Sequence, residues 1–479
     1  MTESFGCTEK MQAAGIDQRI IDLFHQQLEK LHRGDRGYIL EEDLTPVMSG
    51  EIPRSEDLGS YLSVGQEALS RCAVIKLNGG LGTSMGLQGP KSFLPVKGEK
   101  RFIDIVIAQI EMLRQQYGQE IPLIFMNSAV TDAETRALVK EHAALREQAV
   151  SPTFVHHSHP KVRVDTLSAV DTDTPDLEWN PAGHGDVYAS LYVSGLLDAL
   201  LDRGIDLAFI SNIDNLGATL DPSILGYVEH QRIPFLMEVC HRREMDKKGG
   251  HIARSTHGYC LRERAQTREE DLAAFEDINR YSYFNSNSLW VNLRQLREYI
   301  SSHGLPLLPL IANEKHLDPR DESTPKVYQI ETAMGSALSL FSDSVVLEIP
   351  QKRFLPVKKN SDLLLLRSDR YHVDTEDRYC EEPGVTSHIT VELDERYYKK
   401  YDDFCARVRR IPSLQKCRRF SVTGDVVFKE NVECIGEVAF TNSTSEPLII
   451  ENRVIKTRQY KNKEGLPSLF SPYQQGWTG

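Results

Sequence analysis

One stretch constrains this chain more than any other: Val74-Ile-Lys-Leu-Asn-Gly-Gly-Leu-Gly-Thr-Ser-Met-Gly-Leu-Gln-Gly-Pro-Lys-Ser-Phe-Leu-Pro95. It begins in a short apolar run, Ala73 to Leu77, with the length and composition of a buried strand. A turn of Asn78, Gly79 and Gly80 follows, and then a longer loop carrying Gly82, Gly86 and Gly89. That much glycine lets backbone N–H groups approach a ligand with no Cβ in the way. The loop ends in Lys91, a point charge suited to phosphate. A strand, a glycine-rich loop and one lysine read together as a phosphate cradle for a nucleotide. The plainer reading is a glycine-rich surface connector.

Two familiar nucleotide loops do not fit. A P-loop needs glycine directly before Lys-Ser/Thr and a helix opening there; Pro90 holds that place, and Lys91-Ser92 runs into Phe93-Leu-Pro95. A dinucleotide fingerprint needs Gly-x-Gly-x-x-Gly; Gly80-Leu-Gly82 starts it, but the third position is Met85.

The chain has 479 residues, enough for two to four domains. Its formal net charge of -13 argues against nucleic acid or an anionic membrane as the main partner. An acidic protein can still hold a polyphosphate through local lysines and a metal ion. No signal-peptide pattern opens the sequence, and no apolar run reaches membrane-span length. Eight scattered cysteines with no CxxC pair read as reduced thiols of a cytoplasmic protein.

Residues 1-70 read as an N-terminal helical segment. Ile20, Ile21, Phe24, Leu28 and Leu31 recur at helical spacing, a packing stripe with no chemistry assigned. From Val74 strand and helix alternate. Ile103 to Leu113 make a helix face ending at Gly118. Pro122 to Met126 is a strand, Asp132 to Glu147 a helix, and Thr153 to His156 another strand. Alternation of this kind predicts an α/β fold, a mainly parallel sheet covered on both faces, with ligands at the carboxyl ends of its strands. His156, His157 and His159 are adjacent loop histidines that rarely converge on one metal. His184, between Gly183 and Gly185, is either a ligand contact or an exposed histidine at a helix start, and Asp186 can cap that helix. Asp214 leaves the carboxyl end of the strand Leu207 to Ile210, where it serves either as a Mg²⁺ ligand or as a turn residue. Near the end, Asp425-Val-Val-Phe-Lys-Glu, Asn431-Val-Glu-Cys-Ile-Gly and Glu437-Val-Ala-Phe-Thr-Asn repeat every six residues, the signature of a parallel β-helix. So few coils bury little alone, which implies docking on the main domain or on another subunit of a homo-oligomer.

Leu77-Asn-Gly-Gly-Leu-Gly-Thr-Ser-Met-Gly with Gly89-Pro-Lys-Ser92 resembles the signature of the UTP–glucose-1-phosphate uridylyltransferase (UDP-glucose pyrophosphorylase) family. The likeness continues through Pro181 to Asp186, Ser211 to Thr219, Lys248 to Gly250, Phe284 to Trp290, Gln329 to Ala337 and Arg353 to Leu366. The resemblance implies a Rossmann-like nucleotidyltransferase domain with a mixed, mainly parallel sheet at 71-365; the charged, irregular stretch 366-411 reads as a linker region, and the six-residue period marks a small C-terminal parallel β-helix domain at 412-479. It also implies transfer of UMP from MgUTP to glucose 1-phosphate, giving UDP-glucose and pyrophosphate, reversibly, with Mg²⁺ as cofactor. Lys91 and Lys358 become the catalytic cations. Leu77, Asn78, Gly79, Gly80, Lys91, His156, Gly183 and Asp214 become nucleotide contacts. Gly79, Gly80, His184, Asn212, Asp214, Asn287 and Lys358 become substrate contacts, and Asp214 the metal ligand. His156 stands where the family has glutamine, in Phe154-Val-His-His-Ser-His-Pro160-Lys161; histidine too donates or accepts a hydrogen bond. By residues alone Lys358 is a surface charge after a strand. Two other functions compete: the same chemistry on galactose 1-phosphate or N-acetylglucosamine 1-phosphate, and a non-catalytic nucleotide-sugar-binding protein, which would need neither Lys358 nor Asp214.

Overall fold

The computed structural model describes residues 6–374, 378–383, 385 and 389–462. The described residues form two compact units. One takes the chain up to Gly80 and Val106–Leu355; the other takes Leu81–Ile105 and the chain from Pro356 onward.

The first unit is built on a sheet whose centre is four parallel strands: β1 (Cys72–Asn78), β2 (Leu123–Asn127), β3 (Thr153–Val155) and β4 (Leu207–Asn212). They lie in the order β3-β2-β1-β4, with Ile75 of β1 opposite Ile124 and Ile210. Residues Cys72 to Ile75 are fully buried. Burial on both faces of a parallel sheet explains why β1 reads as a continuous apolar run rather than an alternation. Beyond β4 the sheet turns antiparallel through β6 (Tyr283–Asn292), which also pairs with β5 (Phe235–His241); β7 (Val345–Glu348) then runs parallel to β5. The sheet is therefore mixed: its heart is the parallel arrangement that the alternation predicts, and the antiparallel part is what the resemblance implies. Ala73, Ile75, Ile124, Met126, Ala208 and Ile210 share one core with Val187, Leu191 and Leu197 of the helices Val187–Val193 and Leu196–Leu201.

Several local readings differ from the structure. The helix expected over Asp132 to Glu147 stops at Glu141 and resumes as Ala143–Arg146, because His142 takes an extended conformation. The helix after Asp186 breaks at Gly195, whose φ is 77°. Asp186 makes no cap bond to that helix; its carboxylate is taken by His157 instead. The N-terminal stripe is packing, as expected: Ile20, Ile21, Phe24, Leu28 and Leu31 of the helix Gln18–His32 are buried with Val162, Ala189 and Ile330.

In the second unit the short strand Pro95–Lys97 lies along the helix Asn360–Arg367. Arg367 Nη2 donates to the Pro95 carbonyl at 2.6 Å, and Lys97 Nζ donates to the carbonyls of Ser368 and Tyr371, each at 2.6 Å. Residues 366–411, read as a linker, hold short elements here, among them the strand Thr390–Leu393 and the helices Glu395–Tyr398 and Tyr401–Arg407. The strands Thr390–Leu393, Cys417–Thr423, Val432–Asn442 and Arg453–Asn462 pair in that order, all parallel, and Val426–Phe428 pairs in parallel with Leu448–Ile450. Val426, Val432 and Val438, which share one phase of the six-residue period, are all buried. Among the described residues no helix is long and apolar enough to cross a membrane.

Candidate active site

The carboxyl edge of β1, β3 and β4 gathers most of the residues singled out in the sequence. β1 ends in Leu77 and Asn78. The Asn78 carboxamide is buried and donates to Asn127 Oδ1 and Thr135 Oγ1, both at 2.9 Å. Its side chain is thus committed to holding the end of β1 on β2 and on Thr135. Gly79 lies under the His156 ring: a Cβ there would stand 2.8 Å from His156 Nε2. At Gly80 a Cβ would meet nothing within 4 Å. The two glycines therefore differ: the first makes room for a protein ring, and the second faces open space.

His156 follows β3, and its Nδ1 donates to the His157 carbonyl at 2.8 Å. A carbonyl only accepts, so in the neutral ring Nε2 is the bare acceptor. His157 is held by Asp186, whose Oδ2 accepts from the His157 backbone N–H at 2.7 Å and lies 2.9 Å from its Nδ1. Ser190 Oγ also reaches both groups. Burial works against the charged imidazole, but the Asp186 carboxylate prevails and raises His157 above its ordinary value. This pair ties the loop after β3 to the Pro181–Asp186 motif.

Gly183 has a φ of 83° and packs on the backbone of Thr332 and on Glu331. A side chain there would strike the Thr332 carbonyl oxygen at 2.5 Å. His184 Nδ1 accepts from the Met334 N–H at 2.9 Å, and desolvation lowers its pKa to about 4. His184 is thus a neutral ring near pH 7, its proton on Nε2. The Gln329 to Ala337 motif serves as the wall that orients this histidine.

Asn212 and Asp214 leave the end of β4 on a turn closed by Ile213 N–H to the Leu77 carbonyl, 3.2 Å. Both are half-buried. A buried polar scaffold supports the turn. Lys76 Nζ donates to Ser211 Oγ and to the Ala218 carbonyl, both at 2.7 Å. Burial, and then the nearby Arg353, push the Lys76 pKa down to about 7. Asn215 accepts from Leu355 N–H at 2.8 Å and donates to the Arg353 carbonyl at 3.2 Å. The Arg353 guanidinium grips Glu238, fully buried, at 2.8 and 3.1 Å, and Trp290 Nε1 donates to the same carboxylate at 2.9 Å. None of Lys76, Glu238 or Arg353 is assigned a role by sequence reasoning. The one available signal is Lys76 itself, an ammonium inside an otherwise apolar strand.

Asn287 lies on β6, where Ser211 pairs with Ser288. The β5–β6 register slips at Glu238/Val239, and Asn287 bulges out with φ 57°. Its Oδ1 accepts from Asn285 Nδ2 at 2.7 Å. A bulge re-aims a side chain beside a site, and asparagine tolerates the left-handed conformation better than most residues. Lys248 is exposed on the turn before Gly250.

Lys91 and Lys358 belong to the second unit. Lys91 opens a single 3₁₀ turn, Lys91–Phe93, and is half-buried; its stem lies beside Gly82. Lys358 is exposed, just before the helix Asn360–Arg367. Asp362 of that helix accepts from the Lys358 and Lys359 backbone N–H groups at 2.7 and 2.8 Å and feels the charges of both Lys91 and Lys358. The structure therefore brings Leu77, Asn78, Gly79, Gly80, His156, Gly183, His184, Asn212, Asp214 and Asn287 together in one unit, and the two lysines together in the other.

The fold is that of a mixed α/β protein whose central sheet is mostly parallel, with the singled-out residues at the carboxyl edge of its strands. A family model described as UTP–glucose-1-phosphate uridylyltransferase matches residues 19–434. The protein of that name in Saccharomyces cerevisiae is 35% identical over 439 residues, which cover 90% of this chain and 87% of the yeast one. That of Pyrus pyrifolia is 35% identical over 407 residues, 84% of each chain. A point mutant of UDP-glucose pyrophosphorylase from Leishmania major, solved in complex with UDP-glucose, superposes with a TM-score of 0.89 at 36% identity, covering 96% of this chain and 100% of that one. The chain belongs to the UTP–glucose-1-phosphate uridylyltransferase family.

Proposed function

We propose that this protein transfers UMP from MgUTP to glucose 1-phosphate, giving UDP-glucose and pyrophosphate, and catalyses the reverse reaction. The observation that carries the reading is the convergence, on the edge of β1 and β4, of the Gly79–His156 contact and the Asp214 turn. The relatives named above support the substrates.

In the reaction a phosphate oxygen of the sugar forms a bond to the α-phosphorus of UTP. The bond from that phosphorus to the bridging oxygen breaks, and pyrophosphate leaves with the electron pair. A phosphate monoester has a second pKa of about 6, so the nucleophile is already ionised near neutral pH and no general base is required. The obstacle is repulsion between two anions, which preorganised cations and donors relieve. His184, neutral with its proton on Nε2, donates to an anionic or sugar oxygen without a competing charge of its own. His156 Nε2, the bare acceptor, suits the N3–H of uracil, which cytosine lacks. Asn212 and Asn287 offer amides to the sugar hydroxyls. Lys91 and Lys358 meet the phosphate charge.

Asp214 fits a Mg²⁺ site: the ion takes one or two carboxylates and completes its shell with phosphate oxygens and water. Among the described residues no cluster of three or more His, Cys, Asp or Glu forms a closed cage, so a shared protein–phosphate shell is the arrangement this donor set supports. Bound there, Mg²⁺ would supply positive charge to the polyphosphate oxygens.

The C-terminal coils are read as a short parallel β-helix. Asn431 and Asn452, both with left-handed backbone, support this: they stand at matching corners and share an amide hydrogen bond of 2.8 Å, one rung of an asparagine ladder. Exposed Ile449 and Val454 near the end of the coils support their docking on a second copy. Sedimentation of the wild type against Ile449→Asp/Val454→Asp tests this; equal masses would remove the proposal.

The deciding assay for the activity is pyrophosphate release from UTP or TTP with a panel of sugar 1-phosphates. UTP with glucose 1-phosphate is expected to be fastest. Faster turnover with galactose 1-phosphate or N-acetylglucosamine 1-phosphate would change the sugar, and no release with any pair would replace catalysis by binding.

A further inference from the structure

Asn212 and Asn287, the amides offered to the sugar hydroxyls, stand on neighbouring strands, yet the sheet does not set their separation. The antiparallel ladder between β4 and β6 ends at Ser211 opposite Ser288. Asn212 and Asn287 would form its next pair. Asn212 keeps its place, in register with Leu77 of β1. Asn287 does not: against β5, Glu238 opposes Ser288 and Val239 opposes Asn285, so Ser286 and Asn287 bulge out between them. Glu238 holds this bulge. Its carbonyl accepts from Ser286 Oγ at 2.6 Å and its carboxylate from Trp290 Nε1 at 2.9 Å, which fixes β6 on both sides of Asn287. The same carboxylate takes two bonds from Arg353, Nη2 at 2.8 Å and Nε at 3.1 Å. Arg353 Nη2 also donates to the Thr219 carbonyl at 3.0 Å, and the Arg353 carbonyl accepts from Asn215 Nδ2 at 3.2 Å. Asn215 and Thr219 belong to the loop that starts at Asn212. One fully buried carboxylate therefore joins the bulge that carries Asn287 to the loop that follows Asn212.

We propose that Glu238 is a positioning residue for sugar selection: through Ser286, Trp290 and Arg353 it fixes the Asn287 amide relative to Asn212, and so sets which pattern of hydroxyls the two amides accept. The inference deepens the function proposed for this site, and rests on it. A forked, charge-assisted pair fixes geometry as well as energy. A small shift of Asn287 leaves a hydrogen bond to the sugar stretched or unmade, and a site built on hydroxyl contacts registers that as lost discrimination. An ion pair that served the core alone would act differently. Its loss would lower the melting temperature and the amount of active enzyme, and every sugar would suffer alike.

The test is kcat/KM for glucose 1-phosphate and for galactose 1-phosphate, at saturating UTP, in the wild type, Trp290→Phe, Arg353→Lys and Glu238→Gln. The two sugars differ only in the configuration of one hydroxyl, so the ratio of their values reads selection and is blind to the fraction of enzyme folded. Trp290→Phe keeps a ring against Phe209 and removes one donor to Glu238; its ratio is expected to fall about threefold. Arg353→Lys and Glu238→Gln break the fork and should lower the ratio about tenfold, by raising KM for glucose 1-phosphate, with KM for UTP within about twofold of wild type. An unchanged ratio in Trp290→Phe and in whichever of the other two folds overturns the proposal. So does a wild type that turns over both sugars equally. A wild type without turnover on any sugar removes the reading on which the proposal rests. A selective wild type beside variants of unchanged ratio removes only the role of Glu238.

Discussion

The His156 imidazole lies against Gly79, with its Nε2 2.8 Å from where a Cβ of residue 79 would be. The ring cannot swing aside without giving up its bond to the His157 carbonyl. Gly79→Ala should therefore raise KM for UTP at least tenfold with little change in melting temperature. His156→Ala, which removes one hydrogen bond of about 1–1.5 kcal/mol, should raise it about tenfold. His156→Gln restores the amide usual in the family and should stay within about threefold of wild type, since both side chains offer an acceptor. Steady-state kinetics with UTP varied check all three.

For Lys91 and Lys358 the expected cost of alanine substitution is about 10²–10³ in kcat, the range for one preorganised charge-stabilising group. Arginine should not restore Lys358, because a planar fork does not occupy the place of a compact ammonium. Turnover within a few fold of wild type in either alanine variant would exclude that residue.

Lys76 gives a pH signature. Its folded pKa is near 7 and its unfolded value near 10.5. Between these the unfolded chain binds the extra proton, so stability rises with pH through the window from about 7 to 10.5 and is lost as pH falls toward 7, by at most about 1.4 kcal/mol per pH unit. The neutral amine keeps two N–H donors for its two partners, Ser211 and Ala218. Lys76→Met removes this slope. Denaturant unfolding of both proteins at pH 7 and 9 should show wild type gaining on the variant, and Lys76→Met should also raise KM for glucose 1-phosphate by loosening the Asn212–Asp214 turn.

His157 runs in the opposite sense. Its folded pKa is raised, so its bond to Asp186 stabilises fully below the ordinary histidine value and the contribution disappears as pH climbs through the folded value. Asp186→Asn should depress the melting temperature more at pH 6 than at pH 9. Equal depression at both would mean that the pair matters only as a neutral hydrogen bond.

Asn287→Gly keeps the left-handed backbone and loses the amide; Asn287→Ala loses both. The glycine variant should fold like wild type with KM for glucose 1-phosphate raised about tenfold, while alanine should lose about 1 kcal/mol of stability besides. Thermal melts and kinetics with glucose 1-phosphate varied separate the two effects.

Much of this was legible in the chain. The apolar run before Gly79 became the central parallel strand, because a strand buried on both faces has no polar phase to hide. Val426, Val432 and Val438 became inward residues of parallel strands for the same reason that their period is six. What escaped were pairings between distant residues. Nothing local says that Asp186 turns to His157 rather than to the helix it precedes, or that Glu238 reaches Arg353 and Trp290. The bulge at Asn287 was also hidden, since it arises from a slip against β5 and not from its own neighbours.

The second unit is assembled from two separated pieces of chain, Leu81–Ile105 and the part from Pro356 onward. Lys91 and the strand Pro95–Lys97 therefore emerge from the ribosome long before the helix Asn360–Arg367 on which that strand lies. A nascent chain halted between Glu348 and Pro356 holds every strand of the first unit's sheet and still lacks Lys358. In this topology the strand edge is made before the second of the two lysines exists.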